Sequence, residues 1–487
     1  MMRRVLVAIP ACIIVLLGFL VFRTILFQAP DSMQTEAVSP ASIDSAAAGD
    51  RLSRAIQLRT VSLQEAPPPA GEMFRLHALI ARSFPLVHAS LRRETINSYS
   101  LLYTWQGCNA ELDPVLLMGH LDVVPVGLEE WTQPGFSGAI ADGYIWGRGA
   151  LDDKSQVFGI LEAVESLLRE GFVPERTVYL AFGHDEELNG TEGAGVIAER
   201  FRQSGTRFSL VTDEGMIIAD GIVPGVAKPV ALIGIAQKGE GSLRLSVSGE
   251  TGHSSMPPPN TTVGILSRAI VQIEENPMPA TLDGPIGMMF ERVGPAMPFG
   301  QRLVFANRWL FDPVILSQLE AKPQTNASVR TTLAATMFQG SLKDNQLPYR
   351  ATAVVNFRVH PRDNIDAVRE HVRESINDER IQVEVLPGAR EPSSVTDPEG
   401  AAYRVVEKSV REVFPDVLVA PALFIAISDT RHFADLSDNI IRFHPLWLRS
   451  EDTARIHGVN ERISVENYLN YIRYYRRLLE NLPALDG

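Results

Sequence analysis

Three short segments constrain this chain more than any other feature: Gly119-His120-Leu121-Asp122, Leu151-Asp152-Asp153-Lys154 and His184-Asp185-Glu186-Glu187. Together they bring an imidazole and several carboxylates close in sequence. Hard and borderline divalent ions prefer anionic oxygen and neutral imidazole, so this is the ligand chemistry of a metal site. It holds more carboxylates than one ion needs, and such sites can take two ions about 3.5–4 Å apart. The chain reads as a metal-dependent hydrolase.

The hydropathy pattern places these segments. From about residue 50, apolar strand-like runs alternate with helical patterns, which indicates an α/β sheet. Val115–Met118 reads as a buried strand with His120 and Asp122 just after it. Val178–Phe182 is a second, with Glu186 and Glu187 beyond its end, and Phe208–Val211 a third, followed by Asp213 and Glu214. In open α/β sheets the ligand crevice forms at the carboxyl ends of strands, so three runs converge on one place. Between the first two strands, Val157, Ile160, Leu161, Val164, Leu167 and Leu168 keep a helical period that ends at Gly171.

A different texture starts near Lys238. Strand-like runs at 242–248, 351–359 and 381–386 and helical runs at 262–273 and 365–376 give a β-α-β-β-α-β order if 334–339 supplies the missing strand. The expected fold is therefore an α/β catalytic domain, 49–237 and 388–487, interrupted by an inserted two-layer α+β lid of ferredoxin-like type, 238–387. The C-terminal helix is expected over 465–482.

With 487 residues, an apolar share of 45%, a net charge of −13 and a pI near 5.4, the chain can build large cores and offers no basic surface to nucleic acid. Small molecules are the expected partners. Cys12 and Cys108 are the only cysteines, and Cys12 lies in the N-terminal apolar run, so the catalytic region holds no internal disulfide. Arg3 and Arg4 precede the uncharged stretch Val5–Phe22. Residues 1–27 are read as a signal-anchor, with the catalytic domain on the non-cytoplasmic side and residues 28–48 as a flexible tether. A cleaved signal with Ser45-Ala46-Ala47-Ala48 as its small-residue site is the competing reading.

Six ordered motifs carry a resemblance. Gly119–Pro125, Gly147–Lys154, His184–Glu187, Thr212–Gly215, Gly252–Ser255 and Ile456–Arg462 resemble those of the dizinc aminoacylase and carboxypeptidase metallopeptidase family. Within it, the branch of carboxypeptidase S and N-fatty-acyl-amino-acid hydrolase/synthase looks closest. The resemblance implies a zinc-peptidase-like fold and two divalent ions, expected to be zinc. His120 and Asp213 would hold one ion, Glu187 and His457 the other, and Asp152 both. It also implies a cis Asp152–Asp153 bond, Asp122 as the group that orients His120, and Glu186 as general base. His253 would polarise the scissile carbonyl, from a neighbouring subunit in dimeric relatives, which leaves a homodimer through the lid open. Asn345 and Arg358 would hold the substrate's amide and carboxylate, and a planar guanidinium suits the latter task.

Alternatives stand beside these roles. His184, His432 and His444 compete with His457, and Glu214 competes with Asp213 by adjacency. Arg358 could be a surface residue on a strand face, and single carboxylates at a helix start can be dipole-stabilised only. The Asn-x-Ser/Thr matches at Asn189, Asn260 and Asn326 are at chance level. An apolar stretch between Pro277 and Gln339, with Met288, Met289, Phe290, Met297, Phe299, Phe305, Trp309 and Phe311, could receive a greasy acyl group or be core. A serine hydrolase would need a Gly-x-Ser-x-Gly elbow, and the chain has none. A non-catalytic binding protein of the same fold would have lost a ligand or the base. Expected function is hydrolysis of an amide bond next to a free C-terminal amino acid, with N-acyl amino acids as alternative substrates on the same site.

Overall fold

The computed structural model describes residues 2–29, 43–64, 66, 69–128 and 130–486, with side chains left out for 2–10 and 486. The chain divides into two compact units, the first comprising 1–235, 288–306 and 396–487, the second 236–287 and 307–395.

The first unit is built on an eight-stranded mixed sheet: β1 (Arg92–Ile96), β2 (Ser100–Trp105), β3 (Val115–His120), β4 (Val178–Gly183), β5 (Leu210–Asp220), β6 (Val230–Gln237), β7 (Leu418–Phe424) and β8 (Ile440–Arg449). Their spatial order is β1-β2-β4-β3-β5-β8-β6-β7. At its centre β4, β3, β5 and β8 run parallel, while β1, β2 and β6 join antiparallel. A parallel strand covered on both faces needs apolar residues at successive positions, and Val115–Met118 is buried throughout. One cover is the helix pair α3 (Lys154–Arg169) and α4 (Val465–Asn481), where Tyr471, Tyr474 and Tyr475 are buried in the same core as Val157, Ile160 and Val164. Left-handed Gly171 follows α3, as the sequence pattern requires.

The second unit pairs a four-stranded antiparallel sheet, ordered Thr332–Gln339, Arg350–Val359, Gly239–Ser248, Gln382–Val385, with helices Thr262–Glu275 and Ile365–Ile376. Alternating burial along Arg350–Val359 puts Ala351, Ala353, Val355, Phe357 and Val359 into the core shared with both helices. This is the two-layer arrangement expected for the lid.

Three placements differ from expectation. Segment 288–306 groups with the first unit: Phe290 and Met297 are buried, Phe290 stacks on Phe305 at 4.4 Å, and Phe27 packs against Gly294. Of the side chains read as either an acyl-binding surface or core, Phe290 and Met297 are core, whereas Phe299 and Trp309 are exposed. Helix α2 (Ser45–Ile56) begins inside the segment read as tether, its first turn capped by the Asp44 side chain, which accepts the Ala47 N–H at 3.0 Å. The rest of that segment, 30–42, lies outside the described residues. Helix α1 spans Met2–Leu26, and the Val5–Pro10 part of the expected anchor lies outside the described side chains. Among the described residues no helix is long and apolar enough to cross a membrane.

Candidate metal centre

The site lies where β3 and β4 end and β5 is interrupted. His120 is the last residue of β3, and its backbone N–H donates to Asp153 Oδ2 at 3.0 Å. That carboxylate fits because the preceding residue is glycine: a Cβ on Gly119 would stand 2.8 Å from Asp153 Oδ2. The other oxygen, Asp153 Oδ1, is 2.9 Å from His444 Nε2. Asp152, one residue earlier, faces the opposite way, and the Asp152–Asp153 peptide bond is cis.

His120 Nδ1 donates to the Asp122 carbonyl at 3.0 Å and lies 3.3 Å from Asp122 Oδ1. This fixes the tautomer that leaves Nε2 free as a ligand. Nε2 faces Asp152 Oδ1 at 2.9 Å and Glu214 Oε1 at 3.8 Å. On the other side, His457 Nε2 is 3.0 Å from Asp152 Oδ2 and 3.3 Å from Glu187 Oε1. The two oxygens of Asp152 thus point to two different histidines.

Ligand-type atoms of His120, Asp152 and Glu187 fall within 4.8 Å of one another, as do those of His120, Glu186 and Glu214. The electrostatics call for positive charge. Although burial works against it, hydrogen bonding to Asp122 and Asp152 raises His120 well above the ordinary histidine value. Hydrogen bonds to Asp152 and Glu187 raise His457 to about 10. Burial would raise Asp152, yet hydrogen bonds from His120 and His457 hold it below the ordinary carboxylate range. Glu187 Oε1 is buried and faces the His457 ring at 3.3 Å. Two imidazoles, a two-faced carboxylate and flanking glutamates fit a pair of divalent ions.

Glu186 and Glu187 open a single 3₁₀ turn, Glu186–Leu188, after β4. The turn is held by Asp122, whose carboxylate accepts the N–H groups of Glu186 at 3.2 Å and Glu187 at 3.3 Å and the Ser62 hydroxyl at 2.6 Å. Burial pushes the Glu186 carboxyl well above its usual value.

The two adjacent acids Asp213 and Glu214 are placed differently with respect to His120. Asp213 pairs in register with Arg442 of β8, but the next paired residues are Met216 and Phe443, so Glu214 and Gly215 form a bulge. Strand alternation aims consecutive side chains at opposite faces, and a bulge re-aims them further. Glu214 thereby turns toward His120. Asp213 belongs to neither of the groups around His120; it stays buried, raised to about 7 by burial and by the charge of Asp153. Correspondingly, Asp213 and Glu214 lie within β5 and not beyond its end. Of the competing histidines, His184 Nδ1 is engaged with Ser100 Oγ at 2.6 Å and His432 Nε2 with the Asn189 carbonyl at 2.9 Å, whereas His444, bonded to Asp153, has its ligand-type atom within 4.8 Å of those of Asp153 and Glu214.

Asn345, His253 and Arg358 lie in the second unit. His253 and Gln346 pair across a two-residue ladder, the Asn345 carbonyl accepts the Ser254 N–H at 3.1 Å, and both His253 and Asn345 are exposed. Arg358 is half-buried on its strand and donates to Glu240 Oε2 at 3.1 Å. Sequence reasoning did not single out Glu461. Its only signal was membership of the Ile456–Arg462 run, yet it is fully buried and accepts N–H groups from the loop that ends in Asp152.

The chain is similar to known proteins over most of its length. An N-fatty-acyl-amino acid synthase/hydrolase of Danio rerio is 41% identical over 446 residues, covering 90% of this chain and 87% of that protein. Carboxypeptidase S of Saccharomyces cerevisiae is 29% identical, covering 89% and 84%. The fold matches an M20 metallo-carboxypeptidase from Sulfolobus solfataricus with a TM-score of 0.62 at 17% identity, over 91% of this chain and all of that one. The profile of peptidase family M20/M25/M40 matches residues 116–481, and the chain belongs to that family.

Proposed function

We propose that this enzyme hydrolyses an amide bond next to a free C-terminal amino acid, with Glu186 as general base. Enzymes of the family use two zinc ions, which when bound supply Lewis acidity and lower the pKa of water toward neutrality. His120 and Glu214 would hold one ion, His457 and Glu187 the other, and Asp152 both. The observation that carries the reading is the two-sided placement of Asp152, 2.9 Å from His120 and 3.0 Å from His457, with Glu186 one residue from Glu187.

Glu186 would take the proton from the attacking water and return it to the leaving nitrogen. A group raised by burial suits both halves of that exchange, and general acid–base catalysis contributes about 10²–10⁴-fold. Asp122 keeps the turn of Glu186 and the ring of His120 in register. In the second unit Arg358 would receive the substrate carboxylate, exchanging Glu240 for it, while His253 and Asn345 would polarise and hold the amide.

N-fatty-acyl amino acids are the second substrate reading, supported by the 41% identity to a protein named for that activity. A screen of metal-loaded enzyme against C-terminal dipeptides and N-acyl amino acids of several chain lengths decides between them. Turnover of neither class, or full turnover after both metals are stripped, would sink the proposal.

We also infer a membrane location from the uncharged Val5–Phe22 run behind Arg3 and Arg4, with the catalytic units on the non-cytoplasmic side. The full chain should sediment with membranes, and residues 43–487 should be soluble and active; recovery of the full chain as soluble protein would refute the anchor.

A further inference from the structure

Glu461 stands outside the mechanism above, but its surroundings are unusual for a buried carboxylate. Its Oε1 accepts three backbone N–H groups, from Gly149 at 2.9 Å, Leu151 at 2.8 Å and Asp152 at 3.3 Å. Its Oε2 pairs with the Arg148 guanidinium, and its own carbonyl accepts the Gly147 N–H at 2.8 Å. Arg148 uses a second nitrogen, Nη2, to donate to the His457 carbonyl at 2.9 Å. Arg148 itself lies over the Trp131 ring at 5.5 Å.

These bonds close a circuit. The segment 147–152 ends in the carboxylate that faces both histidines; the segment 457–461 begins with one of those histidines. Both segments have irregular backbones: His457 and Asn460 adopt left-handed conformations, and Gly147 and Gly149 carry positive φ. A three-coordinated carboxylate oxygen at the end of one segment and a forked guanidinium across to the other fix their separation. Removing a buried charged acceptor of this kind leaves several donors unsatisfied at once.

We propose that Glu461 is a positioning residue that, through Arg148, locks Asp152 and His457 into one unit and so sets the affinity of the ion held by His457 and Glu187. The proposal rests on the two-metal reading of the site. Within that reading it predicts an asymmetry: disturbing Glu461 should cost the His457 side, which loses the placement of both Asp152 and His457, far more than the His120 side, whose other ligands His120 and Glu214 are fixed by Asp122, Asp153 and the β5 bulge.

The test is a zinc titration of metal-stripped full-length protein against a chromophoric chelator, with His457→Ala marking which ion is which. Glu461→Gln should weaken the marked ion by about 10–100-fold, the usual effect of losing a group that orients a ligand, while the other stays within about threefold. Equal weakening of both ions, or of neither, would overturn the proposal. Wild-type protein that binds only one ion would instead overturn the two-metal reading. If Glu461→Gln does not fold, Arg148→Lys decides by the same criterion, since lysine can keep the ion pair with Glu461 but lacks the fork that also reaches the His457 carbonyl.

Discussion

Asp122 accepts the backbone N–H of Glu186 at 3.2 Å. The same side chain lies 3.3 Å from the His120 ring, so one carboxylate holds both that imidazole and the turn that carries Glu186, the proposed ligand and the proposed base. Asp122→Ala should therefore lower metal affinity and turnover together, by about 10–100-fold. Ser62→Ala removes only the 2.6 Å hydroxyl donor to Asp122 and should destabilise by about 1 kcal/mol with much smaller kinetic effect. Metal content and kcat/KM measured on both variants check this; a kinetic loss as large in Ser62→Ala as in Asp122→Ala would contradict it.

Glu186 and Glu187 are adjacent but should separate cleanly. Glu186→Gln is expected to keep both metals and the fold while kcat falls by about two to four orders of magnitude. Glu187→Gln should weaken the ion on the His457 side. Elemental analysis beside steady-state kinetics distinguishes them, and loss of metal without loss of turnover in Glu186→Gln would remove it as base.

The bulge in β5 predicts a contrast between two neighbouring acids. Glu214→Gln should reduce affinity for the ion near His120, because its Oε1 lies 3.8 Å from Nε2. Asp213→Asn should leave both ions bound, although it removes the negative partner opposite buried Arg442 and should lower the melting temperature. Isothermal titration of stripped protein with zinc reads the first effect, and calorimetry the second. Metal loss confined to Asp213→Asn would restore Asp213 as ligand.

Lys238, in the second unit, supplies a pH dependence of its own. Its ammonium donates to the Ala327 and Arg330 carbonyls at 2.9 and 2.8 Å, and burial, aided by the charge of Arg358, lowers it from the ordinary 10.5 to about 7. The unfolded chain therefore binds more protons than the folded one between these values. Stability should rise with pH across that window, with a slope approaching about 1.4 kcal/mol per pH unit from this group, and its cost should be constant below about 7. Urea midpoints of wild type and Lys238→Met should diverge with a pH-dependent difference in that window; parallel curves would mean that Lys238 stays charged.

How far the sequence could be read follows from where each residue sits. His120, Asp152, Glu186 and Glu187 come directly after buried strands or before a helix, so hydropathy alone brings them to one edge of the sheet, and His457 joins them through its motif. The choice between Asp213 and Glu214 was not legible, since two adjacent acids in one strand differ only by a bulge set by the pairing of Arg442 and Phe443. Glu461 left no periodic trace because it works by accepting backbone N–H groups. The apolar residues of 288–306 fit either a lid or a core by composition, and only their packing with Phe27 and Phe305 assigns them to the first unit.

Substrate recognition gives the last prediction. Arg358 is held by Glu240 at 3.1 Å with its side chain about a third exposed, so the guanidinium is positioned yet open to a competing carboxylate. If it clamps the substrate's carboxylate, amidating or esterifying that group should raise KM and lower kcat/KM far more than changing the acyl chain, because a bidentate charge-assisted pair is lost. Arg358→Lys should be damaging as well, since a point charge cannot reproduce the planar fork. Glu240→Gln should free the guanidinium and lower KM for carboxylate substrates while leaving their amides unaffected. The buried state of Phe290 and Met297 reduces the apolar surface left for an acyl chain, so each added methylene should improve kcat/KM by less than the about 0.8 kcal/mol of full burial. Equal turnover of a substrate and its C-terminal amide would refute the clamp.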